Sequence, residues 1–320
     1  MSDFVQQQNS ICDFATSDSW VILSPIEQSI KKKIEAVGTP LKDWDINIYR
    51  GVLTGCNEVF IIDSEKREEI LANCQTEDER QRTAELIRPI LRGRDIKRYG
   101  YEWANLWLIY IPWHFPYQFD DSIQGASEKA EMAFKEQYPA VYSHMLQYKE
   151  PLSKRNKAET GIRYEWYAMQ RWGAKYWEDF NKPKVVYMEI QTDNPEEGYP
   201  FPCYSYDDKR CVVLNTAYIM SSETLDPRYV LGILNSRLGK FLVKLYVTQL
   251  QERQFRMLSQ YVMKFPIARS TREQEKEMTH LVQGILVNKS IASENRIDEL
   301  AFQIYKLSEQ EIKYLTDRCL

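Results

Sequence analysis

Histidine is scarce in this 320-residue sequence: His114, His144 and His280 are the only three, and they fall in separate predicted elements. A metal or acid–base centre built on clustered imidazoles is therefore not expected. Cysteine is sparse as well. Cys12, Cys56, Cys74, Cys203, Cys211 and Cys319 form no CxxC pair and fall far below the density of a disulfide-built fold, so reduced thiols and no zinc site are expected. No run approaches the roughly 18 consecutive apolar residues of a membrane helix. The opening MSDFVQQQNSICDF lacks the basic-then-apolar pattern of a secretory leader, and a soluble, cytoplasmic protein with no membrane partner is expected. Two adjacent prolines occur nowhere, which excludes the Asp/Asn/Ser-Pro-Pro-aromatic motif that an amino-methyltransferase uses to hold the amino group of a flipped base. A Gly-rich phosphate loop opening a helix is missing, since Gly51 and Gly55 lie between predicted strands, and neither GxSxG nor HExxH is present.

An excess of positive charge is also lacking, the formal net charge being −4. A generally basic nucleic-acid binder is thereby excluded, but a binding face is a local property. Between Arg80 and Arg98 seven basic residues stand against two acidic ones, and between Asn235 and Arg272 eight stand against Glu252 alone. The acid gathers in Glu65–Glu79, Asp193–Glu197 and Glu273–Glu311. That asymmetry suits one phosphate-facing side and one solvated side, although basic runs are also ordinary solvated surface. Aromatics are plentiful, with 21 Tyr, 12 Phe and 8 Trp, enough for a packed interior and for a surface that stacks on bases.

Local patterns give a coarse map. Ser24–Val37 predicts a helix with Ser24 as N-cap, Pro25 at its first position and Gly38 past its end. Asp45–Asp63 predicts two strands joined through Gly51–Asn57, Thr76–Leu91 a helix ending near Gly93, and Leu106–Ile111 a buried strand. Ala126–Leu152 reads as helical with a break at Pro139, Lys184–Ile190 and Cys211–Leu214 as strands, and Pro227–Val247 as one amphipathic helix. From Thr271 to Ser290 and from Ile291 to Tyr314 apolar residues recur every three or four positions, a helical module. The expected fold is therefore α+β. A twisted, mostly antiparallel sheet of five or more strands spans 41–268, preceded by a linker and helix over 1–40 and followed by helices over 269–320.

Five segments carry a resemblance. Tyr49–Asp63 contains RGVLTGCNEVFIID, Glu85–Tyr99 reads ELIRPILRGRDIKRY, and Pro183–Tyr187 (PKVVY) follows the aromatic-basic run Tyr164–Trp177. Tyr229–Ile267 holds LGILNSRLGKFLVKLY and then Phe265-Pro266-Ile267, and the tail Ile297–Tyr314 reads IDELAFQIYKLSEQEIKY. In this order they resemble the specificity region of TaqI-like and type IIG restriction-modification enzymes, which combine adenine-methyltransferase and DNA-recognition parts. The resemblance implies a carboxy-terminal target-recognition domain with double-stranded DNA as partner and no catalytic residue, cofactor or metal of its own. Its methyltransferase, a domain of a longer chain or a separate subunit, would hold S-adenosylmethionine, and Mg²⁺ where the system also cleaves. The family motifs fall on Gly51, Thr54, Gly55, Asn57, Phe60, Gly93, Asp95, Asn235 and Ser236, which are expected to be scaffold.

Reading a duplex needs cations on phosphates to set register and Arg, Lys, Asn or Gln at base edges. Arg92, Arg94 and Lys97, then Arg155, Arg163 and Arg171, then Arg237, Lys240, Arg253 and Arg256 are expected to supply them. Arg92 and Arg94 have an alternative as an internal brace with Asp95, and the mixed basic-aromatic segment Arg155–Trp177 could equally be a helix with an aromatic core stripe. Two other functions stay open. Asp207-Asp208-Lys209 fits the second half of a Mg²⁺-dependent nuclease motif. The helices after 269 could instead dock a partner subunit.

Overall fold

The computed structural model describes residues 23–194, 196, 200–251 and 253–318. Cys12 and Cys319 lie outside them, and Cys56, Cys74, Cys203 and Cys211 are free thiols. In chain order the strands are β1 Gly38–Pro40, β2 Asn47–Arg50, β3 Ile61–Asp63, β4 Ile87–Leu91, β5 Leu106–Ile109, β6 Lys184–Met188 and β7 Ile190–Thr192. They continue with β8 Tyr204–Asp207, β9 Val212–Val213, β10 Ala217–Ser221, β11 Gln249–Gln251, β12 Gln254–Arg256 and β13 Pro266–Ala268. Among the described residues no helix is long and apolar enough to cross a membrane. The described residues form two compact units: a sheet unit within 48–189 and 205–221, and a helical unit within 23–47, 190–204 and 222–318.

The sheet unit holds two four-stranded sheets, ordered β2-β10-β6-β8 and β3-β5-β4-β9. Val185, Val186 and Tyr187 of β6 meet Met220, Ile219 and Tyr218 of β10 in antiparallel register. All six are buried, as expected of β-branched and aromatic residues on a strand covered on both faces. The second sheet is antiparallel at β3–β5 and β4–β5 and parallel at β4–β9. Helices Glu128–Gln137 and Pro139–Leu146 send Phe134 and Val141 into the same core as Phe60, Ile90, Leu108 and Tyr167.

The helical unit gathers Pro25–Val37, Pro227–Asn235, Arg237–Tyr246, Arg272–Val287, Ile291–Ile304 and Glu309–Arg318 with the pairs β1–β13 and β11-β12-β7. Pro227–Asn235 and Arg272–Val287 approach so closely that a Cβ at Gly232 would stand 2.4 Å from Met278 Sδ. A larger residue there would have to displace the Met278 side chain. The expected α+β class with mostly antiparallel strands and helical C-terminal elements is thus present, its strands divided among several small sheets.

Three local expectations change. The helix expected over Thr76–Leu91 stops at Leu86, because Ile87–Leu91 pairs with β5 and buries Ile87, Ile90 and Leu91. The two strands expected within Asp45–Asp63 are not paired with each other: β2 joins β10, β3 joins β5, and one helical turn, Asn57–Phe60, lies between them. The helix expected over Pro227–Val247 breaks at Ser236, whose Oγ accepts from Gly239 N at 3.2 Å and so caps a second helix.

A buried ion pair crosses the first sheet. Lys184 Nζ of β6 lies 2.5 Å from Asp207 Oδ2 of β8, and both side chains are fully shielded from solvent. Lys184 also donates to Phe180 O, while Asp207 accepts from the Tyr101 hydroxyl and the Cys211 amide, 3.0 Å each. Burial pulls the Lys184 ammonium below its usual pKa, with Asp207 opposing that shift. Removing one partner of such a pair strands the other charge, so Lys184→Ala should destabilise by about 3–5 kcal/mol, whereas Lys184→Met with Asp207→Leu should cost much less. Urea unfolding of both variants is the check, and equal losses would contradict it.

Acid should act on the helical unit. Burial raises the Glu311 carboxyl, but Lys33 Nζ at 2.6 Å, the Ser308 amide and the Ser29 and Ser308 hydroxyls outweigh it and hold the pKa at about 2. A depressed carboxylate stabilises above its unfolded pKa near 4.5 and loses that contribution as pH falls towards 2. Glu311→Gln should therefore flatten the acid limb of the stability–pH curve between those values. Thermal melts followed by circular dichroism across that range would show an unchanged limb if the assignment were wrong.

Candidate nucleic-acid interface

The two motifs of the sheet unit around Gly51 and Gly93 meet at one turn, Val213–Ala217. Val52 N donates to Val213 O and Gly51 N to Ala217 O, both at 2.9 Å, while Leu214 N donates to Leu91 O at 3.0 Å. Gly93 N donates to Thr216 Oγ1 at 3.2 Å, and Glu189 N to Thr216 O at 2.9 Å. The motif around 51, the motif around 93 and the end of β6 are thereby fixed to one short segment. Gly51 is required by this packing, because a Cβ there would stand 2.2 Å from Leu214 O.

In the Arg92–Lys97 loop two neighbouring arginines behave differently. Asp95 is buried and takes a two-pronged bond from Arg92, Nε to Oδ2 at 2.9 Å and Nη2 to Oδ1 at 2.7 Å, besides the Arg92 amide. This is the brace left open by the sequence. Asp95 holds the Arg92 guanidinium above its usual pKa against slight desolvation. Arg94 is exposed at the loop's outer side, and Lys97 Nζ donates to Arg94 O at 3.0 Å.

Around Gly55, whose φ is +78°, Thr54 Oγ1 donates to Asn57 Oδ1 at 2.6 Å and Phe60 is fully buried. Arg155 points inward. Its guanidinium donates to the carbonyls of Thr54, Leu152, Trp166 and Ala168, and burial pulls its pKa down to about 10. Arg163 and Arg171 are exposed. Arg163 pairs with Glu159 at 2.8 Å. Arg171 sits on a bridge to Leu53, near Tyr176, whose hydroxyl donates to Arg50 O and whose ring stacks on Tyr49 at 4.3 Å. Arg50 itself pairs with Glu189 and donates from Nε to Asn215 O at 2.8 Å.

In the helical unit the basic run divides in the same way. Arg237 binds Asp298 through its amide at 2.7 Å and its Nη1 at 2.6 Å. Lys240 is buried 2.9 Å from Asp193, and Lys244 lies 2.8 Å from the same carboxylate. Burial raises the Asp193 carboxyl, but the two ammonium groups together hold it below its usual range. Asn235 is buried, accepting from Tyr204 N at 3.1 Å and donating to Tyr204 O at 2.9 Å, so it completes the end of β8. Arg253 and Arg256 are exposed, Arg253 lying 3.7 Å from Glu196. Arg253 precedes and Arg256 ends β12, the middle strand of β11-β12-β7. The edge strand β11 exposes Gln249, Leu250 and Gln251 while its backbone pairs with β12. Sequence reasoning passed over Gln249 and Gln251, although the alternation in Gln249-Leu-Gln251 was the signal.

The nuclease fragment comes apart in space. Asp207 faces Lys184 in the interior and Asp208 is exposed beside Lys209 at 3.4 Å, so the two carboxylates do not converge. Among the described residues no cluster of three metal-binding side chains is present.

The sequence matches the TaqI-like C-terminal specificity domain over residues 88–267, more than half of the chain. It is similar to the type II methyltransferase M.BstVI of Geobacillus stearothermophilus, 23% identical over 313 residues that make up 95% of this chain and 47% of that protein. The chain thus spans about half the length of the curated relative it matches. Its fold is similar to that of the type IIL restriction-modification enzyme MmeI, solved in complex with DNA, with a TM-score of 0.53 and 14% identity over 88% of this chain and 36% of that one. The type IIG restriction endonuclease BpuSI gives a TM-score of 0.46 at 11% identity, over 88% of this chain and 34% of that one.

The contrast between adjacent arginines is measurable. Arg92→Ala leaves buried Asp95 without its two-pronged partner and should cost about 1–3 kcal/mol, whereas Arg94→Ala should stay within about 0.5 kcal/mol of the parent. Urea unfolding of the two variants tests this, and equal stabilities would refute it.

Proposed function

The chain belongs to the TaqI-like C-terminal specificity domain family, and from that premise we propose that it recognises a specific sequence in double-stranded DNA for a methyltransferase domain or subunit. Membership of a specificity family is the observation that carries this reading. Phosphate and base contacts fall to the outward cations: Arg94 and Lys97 on one loop, Arg163 over the Trp113 ring, Arg171 near the Tyr49–Tyr176 stack, and Arg253 and Arg256 at the two ends of β12. Arg92, Arg155, Arg237 and Lys240, expected from sequence to touch DNA, serve as scaffold, because carboxylates or carbonyls already fill their donors.

Division of labour follows from the chemistry of the duplex. Phosphates repeat along every sequence, so a cation on the backbone fixes register without discriminating, whereas base edges present donor and acceptor patterns that differ from pair to pair. Arginine and glutamine reach those edges with paired donors, which makes Arg171, Gln249 and Gln251 the proposed readers. Methyl transfer itself takes S-adenosylmethionine, which belongs to the partner. In this chain the loop richest in glycine, Gly51–Gly55, is closed by Leu214 O at 2.2 Å from a Gly51 Cβ and by the Arg155 side chain beside Gly55. It leaves no cradle for that cofactor. The partner methylates, and cleaves where a nuclease with Mg²⁺ is joined to it, while this chain places the DNA.

Binding is read by fluorescence anisotropy with the methyltransferase partner present, on a duplex selected from a random pool and on a scrambled one. Arg256→Ala should weaken both duplexes alike and lower the salt slope by about one unit. Arg171→Ala should cost roughly 1–3 kcal/mol on the selected duplex and relax preference at one position. Affinity that does not change between low and moderate salt, or a random pool that yields no enriched sequence, would overturn the reading.

A further inference from the structure

The sheet unit contains a cleft of about 530 Å³ that none of these duplex contacts uses. Such a volume suits a small molecule or one residue of a polymer. Its lining includes Tyr110, Trp172 and Trp177, with Phe119 at the mouth. Phe119 is 60% exposed, its ring 5.4 Å from that of Trp177 and 6.3 Å from that of Trp172. A phenyl ring left so open beside two indoles keeps apolar area in water that a planar ligand would cover.

Polar groups in the cleft define that ligand further. Gln118 Oε1 is buried and has no hydrogen-bond partner, an acceptor waiting for an N–H. Arg88 is held in place: its Nη2 donates to Asn181 Oδ1 at 2.6 Å and to Arg210 O at 3.2 Å, and its guanidinium lies 5.4 Å from the centre of the Tyr110 ring. Lys209 and Arg210, both exposed, also line the cleft, and Arg210 takes a positive φ of 60°. Stacking rings, an unsatisfied acceptor and a cationic rim match one chemistry, a planar nitrogen-rich ring attached to an anion.

We propose that this cleft binds a nucleotide, its base stacked against Phe119 and Trp177 with an N–H on Gln118 Oε1, and its phosphate at Lys209 and Arg210. The base comes either from a free mononucleotide or from an unpaired position in a DNA strand. Paired duplex cannot enter, because its bases are stacked and only their edges face outward, so this site stands apart from groove recognition and does not require it.

The full chain is titrated with dAMP, with a single-stranded hexanucleotide and with a duplex carrying one bulged adenine, following intrinsic tryptophan fluorescence. Saturable quenching is expected from at least one probe, because the base lies against Trp177. Saturation by dAMP identifies a free nucleotide as occupant, and saturation only by the strand or bulge identifies an unpaired base in DNA; both sustain the proposal. Phe119→Ala and Arg210→Ala, two exposed positions, should each weaken that probe by about tenfold with an unchanged melting temperature. No quenching by any probe, or undiminished affinity in both variants, overturns it. Binding of a fully paired duplex, measured in parallel by anisotropy, reports on the duplex reading alone, so failure of one leaves the other standing.

Discussion

A five-residue turn, Val213–Ala217, orders the sheet unit. Its backbone and the Thr216 hydroxyl bond to Gly51, Val52, Leu91, Gly93 and Glu189, residues drawn from three stretches that are far apart in sequence. The amide donors all belong to buried residues, Gly51, Val52, Gly93, Glu189 and Leu214, and leaving any of these bonds unmade would cost a buried donor its partner. The consequence is geometric. The loop bearing Arg94, the strand end bearing Arg50 and, through Leu53, the bridge bearing Arg171 hold fixed positions relative to one another, as a surface that measures spacing along a duplex requires.

Charge is sorted by the same economy. The buried cations Lys184 and Lys240 meet the carboxylates of Asp207 and Asp193, and partly exposed Arg92 is braced by Asp95. Arg155 has no carboxylate at all and instead gathers carbonyls of Thr54, Leu152, Trp166 and Ala168, turning a charged group into a clamp for a loop. What remains outside is a smaller and more even set than the basic runs suggested. A net charge of −4 thus coexists with exposed cations at Arg94, Arg163, Arg171, Arg253 and Arg256.

Much of the architecture was legible from local chemistry. Ser24-Pro25 at a helix start, Thr76 as a cap accepting from Glu79 N and the apolar spacing after Thr271 each carry their own signal and each mark a helix. Ile87–Leu91 did not, because its apolar residues Ile87, Ile90 and Leu91 extend the helical spacing of the preceding segment, and only pairing with Leu108 and Ile109, some twenty residues on, selects a strand. The strand signals of Asp45–Asp63 were read, but their partners, β10 and β5, lie beyond local pattern. The candidate site was legible as composition and not as direction. Arg155 and Arg171 stand in the same basic-aromatic segment, and which one faces inward is decided by how the segment folds back on itself and on Thr54, whose carbonyls surround Arg155. Gln118 and Phe119 gave no signal, since a cleft exists only once its walls are assembled.

The helical unit has a timetable written into it. Its helix Pro25–Val37 finds its distant partners late in the chain: Glu35 accepts from the hydroxyl of Tyr246, Ser29 and Lys33 donate to Glu311, and Glu27 accepts from the hydroxyl of Tyr314. During synthesis the sheet unit has all of its residues once Ser221 has emerged, whereas the first helix must wait for Glu311. At roughly 5–20 residues per second that wait is on the order of ten seconds. Until then its contacts with Glu311 and Tyr314 are unmade. A ribosome that stalls between those two points would therefore leave a chain with a finished sheet unit and a helix that lacks those two partners.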